Sequence, residues 1–194
     1  MELKISLRNR KVGKVPNVSV APGASCVEDI PCLKGGCYAM KSYNQYPATK
    51  NAWDSNLALY HRDSAQFFTE WDEWLTKHKP KRFRIFVGGD FPSESFYFMT
   101  EGLAIEHPKT SFLAFTKRYD YDYSRRPENL QIVLSTWPGW PLPTNTSLPW
   151  AWLSEDFRRR KSAPHYACPG GCGDCPFFCW DKLDKDTHVV FPRH

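Results

Sequence analysis

Arg82-Phe83-Arg84-Ile85-Phe86-Val87-Gly88-Gly89-Asp90-Phe91-Pro92 decides how the rest of the chain is read. Residues 83–87 are a short run rich in β-branched and aromatic side chains, and Gly88-Gly89 ends it, which is the pattern of a strand with a tight exit. A helix is expected from about Ser93 to Glu106. A second strand follows at Ser111-Phe112-Leu113-Ala114-Phe115-Thr116-Lys117-Arg118. A strand, a crossover helix and a further strand predict parallel pairing.

Outward from this unit the pattern repeats. Downstream, Leu130-Gln131-Ile132-Val133-Leu134-Ser135 reads as a strand ended by Trp137-Pro138-Gly139, and Trp150-Ala151-Trp152-Leu153 as a short one. Asp156 to Lys161 is a turn or short helix, and His188-Val189-Val190-Phe191 is the last strand. Upstream, residues 48–62 are helical, with Trp53, Leu57 and Tyr60 on one face. Residues 64–78 form a second helix with Ser64 as its N-cap. Its stripe of Phe67, Phe68, Trp71, Trp74 and Leu75 has the spacing that burial requires and reads as core rather than as a cofactor box. Val15 to Val20 is an early strand, with Pro16 at its start or edge and Pro22-Gly23 ending it.

The fold class expected is α/β, a reduced or partial (β/α) barrel of mainly parallel strands with a C-terminal cysteine-rich metal-binding loop. The chain is too short for a full eight-unit barrel, and an open sheet fits as well. Residues 1–161 would form the α/β partial-barrel domain. Residues 162–194 would be a cysteine-rich segment packed on it.

Hydrophobic residues make up 41% and aromatic residues 15% of the 194, enough to build a core without disulfide staples. Met1-Glu2-Leu3-Lys4 leads into charged residues with no apolar signal region, and no stretch is apolar enough to span a bilayer. An intracellular protein with no membrane contact is expected. A net charge of +5 permits contact with nucleic acid or a phosphorylated substrate without requiring it. The basic runs Lys79-Pro80-Lys81-Arg82-Phe83-Arg84 and Arg158-Arg159-Arg160-Lys161 read either as phosphate-contacting patches or as solvated faces.

All seven cysteines fall in two groups, and the long middle of the chain has none. Cys26, Cys32 and Cys37 are spaced C-x5-C-x4-C. Cys168, Cys172, Cys175 and Cys179 are spaced C-x3-C-x2-C-x3-C in a loop dense with Gly and Pro. Four thiolates on one tight loop suit zinc or an iron–sulfur cluster. Three thiolates leave a coordination position open, which is where metal chemistry happens. Disulfides are the competing explanation, but an odd number of cysteines leaves at least one thiol over.

In parallel α/β folds, functional groups gather at the carboxyl ends of strands. Those ends supply the early cysteine loop, Gly88-Gly89-Asp90, Lys117 and Ser135-Thr136. Asp90 reads equally as a ligand-amine holder or general acid/base and as the cap of the following helix. Lys117 either binds phosphate or carboxylate or is solvated. Ser135 either binds a ligand or satisfies backbone groups. His188 and His194 lie near the late cysteines and are secondary metal candidates. Tyr119, Tyr121 and Tyr123, with Arg118, Arg125 and Arg126, form either a base-stacking surface or a solvated loop. No G-x-S-x-G elbow and no P-loop is present, so neither a serine hydrolase nor a P-loop ATPase is expected.

A three-cysteine loop after the first strand, with aromatic Tyr38 beside Cys37, resembles the cluster loop of radical S-adenosylmethionine enzymes. That family's spacing is C-x3-C-x2-C, and the early loop departs from it. Cys168, Cys172 and Cys175 have that spacing, but late in the chain, where an auxiliary cluster or structural zinc is expected. The resemblance implies a [4Fe–4S] cluster on three cysteines with S-adenosylmethionine on the fourth iron. Gly88-Gly89-Asp90 is similar to the Gly-Gly-Glu-type motif that touches the ligand's amino group in that family.

Over nearly its whole length the chain more closely resembles the phage gene-product-eighty-eight family. The resemblance rests on Asn9-Arg10-Lys11-Val12-Gly13-Lys14-Val15, Cys37-Tyr38-Ala39, the Gly89-Asp90 strand end, Phe112-Leu113-Ala114-Phe115-Thr116-Lys117, Ser135-Thr136-Trp137-Pro138-Gly139, the late cysteine loop and the terminal Val-x-Phe-x-x-His. It implies a phage origin, hence the host-cell cytoplasm, and a fold more than an activity.

Together these point to an iron–sulfur enzyme of radical-S-adenosylmethionine-like type. Cys26, Cys32 and Cys37 would hold the active cluster, and Cys168, Cys172, Cys175 and Cys179 a second. Asp90 and Lys117 are the catalytic candidates, with Gly88, Gly89, Asp90, Tyr38 and Ser135 binding the cofactor. A nucleotide or nucleic-acid substrate and a host electron donor would be its partners. The alternative is a non-enzymatic, zinc-stabilised protein that binds nucleic acid or a host protein. A third arrangement places all seven cysteines around neighbouring sites used only for electron transfer.

Overall fold

The computed structural model describes residues 1–9, 11–144, 147–156, 158, 164–172 and 175–192. In chain order the elements are β1 (Ile5–Ser6), β2 (Asn17–Val18), α1 (Pro31–Lys34), α2 (Tyr38–Gln45), α3 (Pro47–Arg62), α4 (Ser64–His78), β3 (Arg82–Ile85), α5 (Glu94–Glu106), β4 (Ser111–Thr116), β5 (Leu130–Ser135), β6 (Trp150–Leu153), β7 (His165–Ala167), α6 (Phe178–Asp181) and β8 (His188–Phe191).

Among the described residues the strands form one eight-stranded sheet in the order β1-β2-β3-β4-β5-β6-β8-β7. Only β1 runs antiparallel to its neighbour. From β2 to β6 the strands pair in parallel and in chain order. β8 then inserts between β6 and β7, parallel to both. The sheet has two edges, β1 and β7, so what is observed is an open mixed α/β sheet rather than a closed barrel. The segment from residue 162 onward supplies β7 and β8 to this same sheet.

Strand alternation sends side chains to two faces. Phe83, Ile85, Phe112, Ala114, Ile132 and Leu134 pack on one face against Phe67, Trp71 and Phe96 of α4 and α5. Leu113, Val133, Ala151 and Val189 face the other way, where Trp180 of α6 and Leu183 cover them. Helices therefore cover one face, and the cysteine-rich segment covers the other.

Several expectations shift in detail. β3 stops at Ile85, because Phe86 turns into the left-handed region with φ 58°. The strand expected over residues 15–20 shrinks to Asn17–Val18, and the Ser19 hydroxyl takes over as acceptor for the Val87 and Gly88 amides. The cap of α4 is Asp63, whose carboxylate accepts from Gln66 N at 2.9 Å, not Ser64. Asp90 does not cap α5; Ser93 does, accepting from Phe96 N at 3.1 Å.

Candidate functional site

The carboxyl ends of the parallel strands enclose a cavity of about 200 Å³, and all seven cysteines line it. The early cysteine loop follows β2, Asp90 follows β3, Lys117 follows β4, Thr136 follows β5 and Cys168 follows β7. Parallel pairing is what brings these points, far apart in sequence, to one end of the sheet.

Local geometry holds the early group. Cys26 sits in a turn in which its amide donates to Gly23 O at 3.3 Å and its sulfur accepts from Gly23 N at 3.4 Å. Arg118 donates to the carbonyls of Ser25 and Cys26, each at 3.3 Å, and to Phe91 O at 3.0 Å. The Ser25 hydroxyl donates to Ala21 O at 2.8 Å and accepts from Asp90 N at 3.1 Å. Cys32 lies in α1, and Cys37 begins α2. A thiol hydrogen bond from Cys32 holds the Cys37 thiol well below its ordinary range, helped by the amides of Met40 and Ala39 and by Lys117. The same bond, with burial, raises Cys32. Burial raises Cys26.

The late group is built around the end of β7. Cys168 N donates to Val190 O at 2.8 Å, and the Cys168 sulfur accepts from Gly170 N at 3.4 Å. Cys172 N donates to Lys11 O at 2.9 Å, so the N-terminal loop anchors this group too. Burial raises the Cys168 and Cys172 thiols and pushes Cys179 up to about 12, while the Arg84 cation opposes all three shifts. None of the seven cysteines is in a disulfide. Among the described residues, no three Cys, His, Asp or Glu side chains stand close enough to cage a single metal ion.

Asp90 is buried, and burial raises its carboxyl above the ordinary range. Its oxygens accept from Thr116 Oγ1 at 2.6 Å, Lys117 N at 2.8 Å and Phe91 N at 2.8 Å. The carboxylate therefore ties the end of β3 to the end of β4 while lining the cavity. Tyr38 also lines it, donating from its hydroxyl to Val87 O at 2.5 Å. Lys117, Gly89 and Ser135 are further lining residues. Gly88 instead lies against the Trp53 indole, where an added Cβ would sit 2.2 Å from a ring carbon.

Other candidates go elsewhere. His188 accepts from Trp150 N at 3.2 Å and stacks on that indole. His194 lies outside the described residues. The tyrosine loop divides: Asp120, Asp122, Ser124 and Arg125 are exposed, while its tyrosines turn toward the protein. Tyr123 is buried against Tyr97, and the Tyr119 hydroxyl donates to Ser135 O at 2.5 Å. Among the described residues of the two basic runs, three cations are engaged within the fold. Arg82 pairs with Asp181 at 2.7 Å, Arg84 is buried, and Arg158 pairs with Asp156 at 2.8 Å. Arg159, Arg160 and Lys161 lie outside the described residues.

Sequence reasoning missed two cations that line the cavity, Lys11 and Arg84. Lys11 stands 3.9 Å from the centre of the Tyr38 ring. The signal for Arg84 was its place between Phe83 and Ile85: alternation puts it on the opposite face from those two core residues.

Fold and site thus define an α/β protein with a thiol-lined cavity at the carboxyl ends of a parallel sheet. The gene product 88 family matches residues 4–137, and the chain belongs to that phage family. No curated protein and no solved structure matches it.

Proposed function

We propose that this is an iron–sulfur protein whose cavity holds cluster on both cysteine groups, acting as a redox enzyme of radical-S-adenosylmethionine-like type. The observation that carries this is the convergence of all seven cysteines on one cavity at the catalytic end of a parallel sheet. The donor set suits the group in its chemistry, although no three of the donors stand at caging distance among the described residues. Thiolate ligands carry negative charge, and Lys11, Arg84 and Lys117 stand around them. The buried indole N–H groups of the lining residues Trp152 and Trp180 have no acceptor among the described residues, and cluster sulfur accepts such bonds.

When bound, such a cluster supplies one-electron transfer. The protein's part is to hold, orient and exclude water. Cys26, Cys32 and Cys37 would leave one coordination position open for S-adenosylmethionine. A carboxylate offers about four acceptor sites; Asp90 uses three on its own chain, leaving one for a ligand amine. Arg118 and Ser25 keep the cysteine loop registered on the strand ends. The chain-order run of parallel strands from β2 to β6 supports regarding the sheet as a section of a (β/α) barrel. The reductant would be a host electron donor.

The rival, a zinc-stapled nucleic-acid binder, is weakened by the internal engagement of Arg82, Arg158 and the tyrosine loop. Iron and sulfide analysis with an absorption spectrum, on chain purified without oxygen, tests the proposal. About eight irons with matching sulfide and a broad visible band are expected for two cubane clusters. Zinc without sulfide or colour would defeat it.

A further inference from the structure

Lys117, Ser135 and Trp137 line the cavity from the ends of two adjacent strands. β4 and β5 pair in parallel, with Thr116 opposite Leu134. Lys117 and Ser135 each follow that pair by one residue, and Trp137 lies two residues beyond Ser135. Alternation puts all three on the face of Leu113 and Val133, the one that carries the cavity. The main chain beneath them is pinned at each position. Asp90 accepts from Lys117 N at 2.8 Å. Tyr119 donates from its hydroxyl to Ser135 O at 2.5 Å. Arg158 donates to Trp137 O at 2.6 Å and to Trp140 O at 2.7 Å. Pro138 also biases Trp137 toward extended backbone.

The side chains above this fixed backbone are uncommitted. Among the described residues, the Lys117 ammonium and the Ser135 hydroxyl make no hydrogen bond, and the half-buried Trp137 indole stacks on no other ring. A pinned wall with a free cation, a free hydroxyl and a free flat ring is preorganised for a ligand rather than for the core. An indole face takes a nucleobase, and an ammonium takes a phosphate as a point charge. Two residues of extended chain span about 7 Å, so charge and ring stand about one sugar apart. We infer that this wall binds a mononucleotide: Trp137 stacks on the base, Lys117 meets the phosphate and Ser135 faces the sugar. The binding assignment stands without iron. That the nucleotide is the substrate rests on the iron–sulfur reading above.

The test uses the full chain, purified without oxygen, as wild type, Trp137→Ala, Trp137→Phe and Lys117→Met. Isothermal titration calorimetry at low salt reads the dissociation constants of AMP, UMP, adenosine and ribose phosphate. AMP and UMP should bind tighter than adenosine or ribose phosphate, each of which lacks one recognised group. Trp137→Ala should weaken AMP about tenfold, the loss of one base–aromatic stack, and leave ribose phosphate unchanged. Trp137→Phe should keep most of the affinity. Lys117→Met should bring AMP down to the level of adenosine. Ligands are compared within each variant, so a partial loss of folded protein does not move the ratios.

AMP and UMP binding no tighter than ribose phosphate, or binding that Trp137→Ala leaves unchanged, would overturn the assignment. So would binding of S-adenosylmethionine with none of the mononucleotides, an outcome that leaves the iron–sulfur proposal standing. The expected pattern in a chain that holds neither iron nor sulfide would keep the assignment and sink the cluster.

Discussion

At the residue scale, Gly88 and Gly89 sit at the crossing of two demands. Gly88 has no room for a Cβ beside Trp53, and Gly89 adopts φ +84° with Val20 O only 2.6 Å from where its Cβ would be. Gly88→Ala should destabilise the chain by about 1–3 kcal/mol through overpacking. In a Trp53→Ala background that added cost should vanish, and urea unfolding of the double-mutant cycle reads the difference. An equal cost in both backgrounds would mean that the indole is not what the glycine accommodates. Asp90→Asn is a less clean probe of function than the sequence implies. An amide has one acceptor oxygen where the carboxylate now takes three donors, so a loss of about 1–3 kcal/mol is expected from unsatisfied buried groups. Loss of activity in that variant has to be judged against its unfolding curve. The cysteines were legible because seven of one rare residue in two groups is a pattern that chemistry makes. Arg84 was not, because a charge inside Lys79–Arg84 reads as surface until the sheet shows which way it points.

At the element scale, local signals located the elements that carry their own periodicity or apolar run and missed the short pieces that carry neither. α3, α4 and α5 carry their own periodicity, and β5, β6 and β8 match their apolar runs to the residue. β1, β7, α1 and α6 span two to four residues each; such pieces exist only through partners elsewhere in the chain. Two element ends yield predictions. α4 ends on Lys79 in the left-handed conformation, φ 46° and ψ 53°. Lys79→Gly should stabilise the chain by about 1 kcal/mol, the order of the left-handed penalty on a residue with a Cβ; an unchanged urea midpoint would refute that. The loop after β5 is tied to the turn after β6 by Arg158, which donates to Trp137 O at 2.6 Å, Trp140 O at 2.7 Å and the Asp156 carboxylate. The Arg158 hydrogen bond holds Asp156 below the ordinary carboxylate range. A depressed folded-state value means that this stabilisation is present above the ordinary range and is lost as pH falls through the depressed value. Arg158→Met should cost about 1–3 kcal/mol at pH 7, with the penalty shrinking in acid. Urea unfolding of both chains at neutral and acid pH checks the sign.

At the scale of the whole molecule, no helix among the described residues is long and apolar enough to cross a membrane. Both faces of the sheet are covered, but by different kinds of structure, and the second covering belongs to the cysteine-rich segment. That segment is not an appendage. Ending the chain at residue 161 would remove β8 from beside β6 and strip Trp180, Leu183 and Val189 from the second core. Such a fragment should express insolubly or melt without cooperativity; a fragment with the cooperative transition of the full chain would show that the first 161 residues are a self-sufficient domain. The parallel class of the sheet was readable from strands alternating with helical spacing. Its final order was not, because nothing local tells β8 to insert inside β7.

That insertion has a consequence for biosynthesis. β7 leaves the ribosome before β8, yet it can join the sheet only across β8. While the chain is still being made, the early cysteines, the Asp90 turn and Lys117 already exist, but the wall opposite them does not. The chamber closes in a single late event. A stalled or clipped chain that lacks β8 would present the thiols of Cys26, Cys32 and Cys37 to the surroundings without the wall that β8 helps to build.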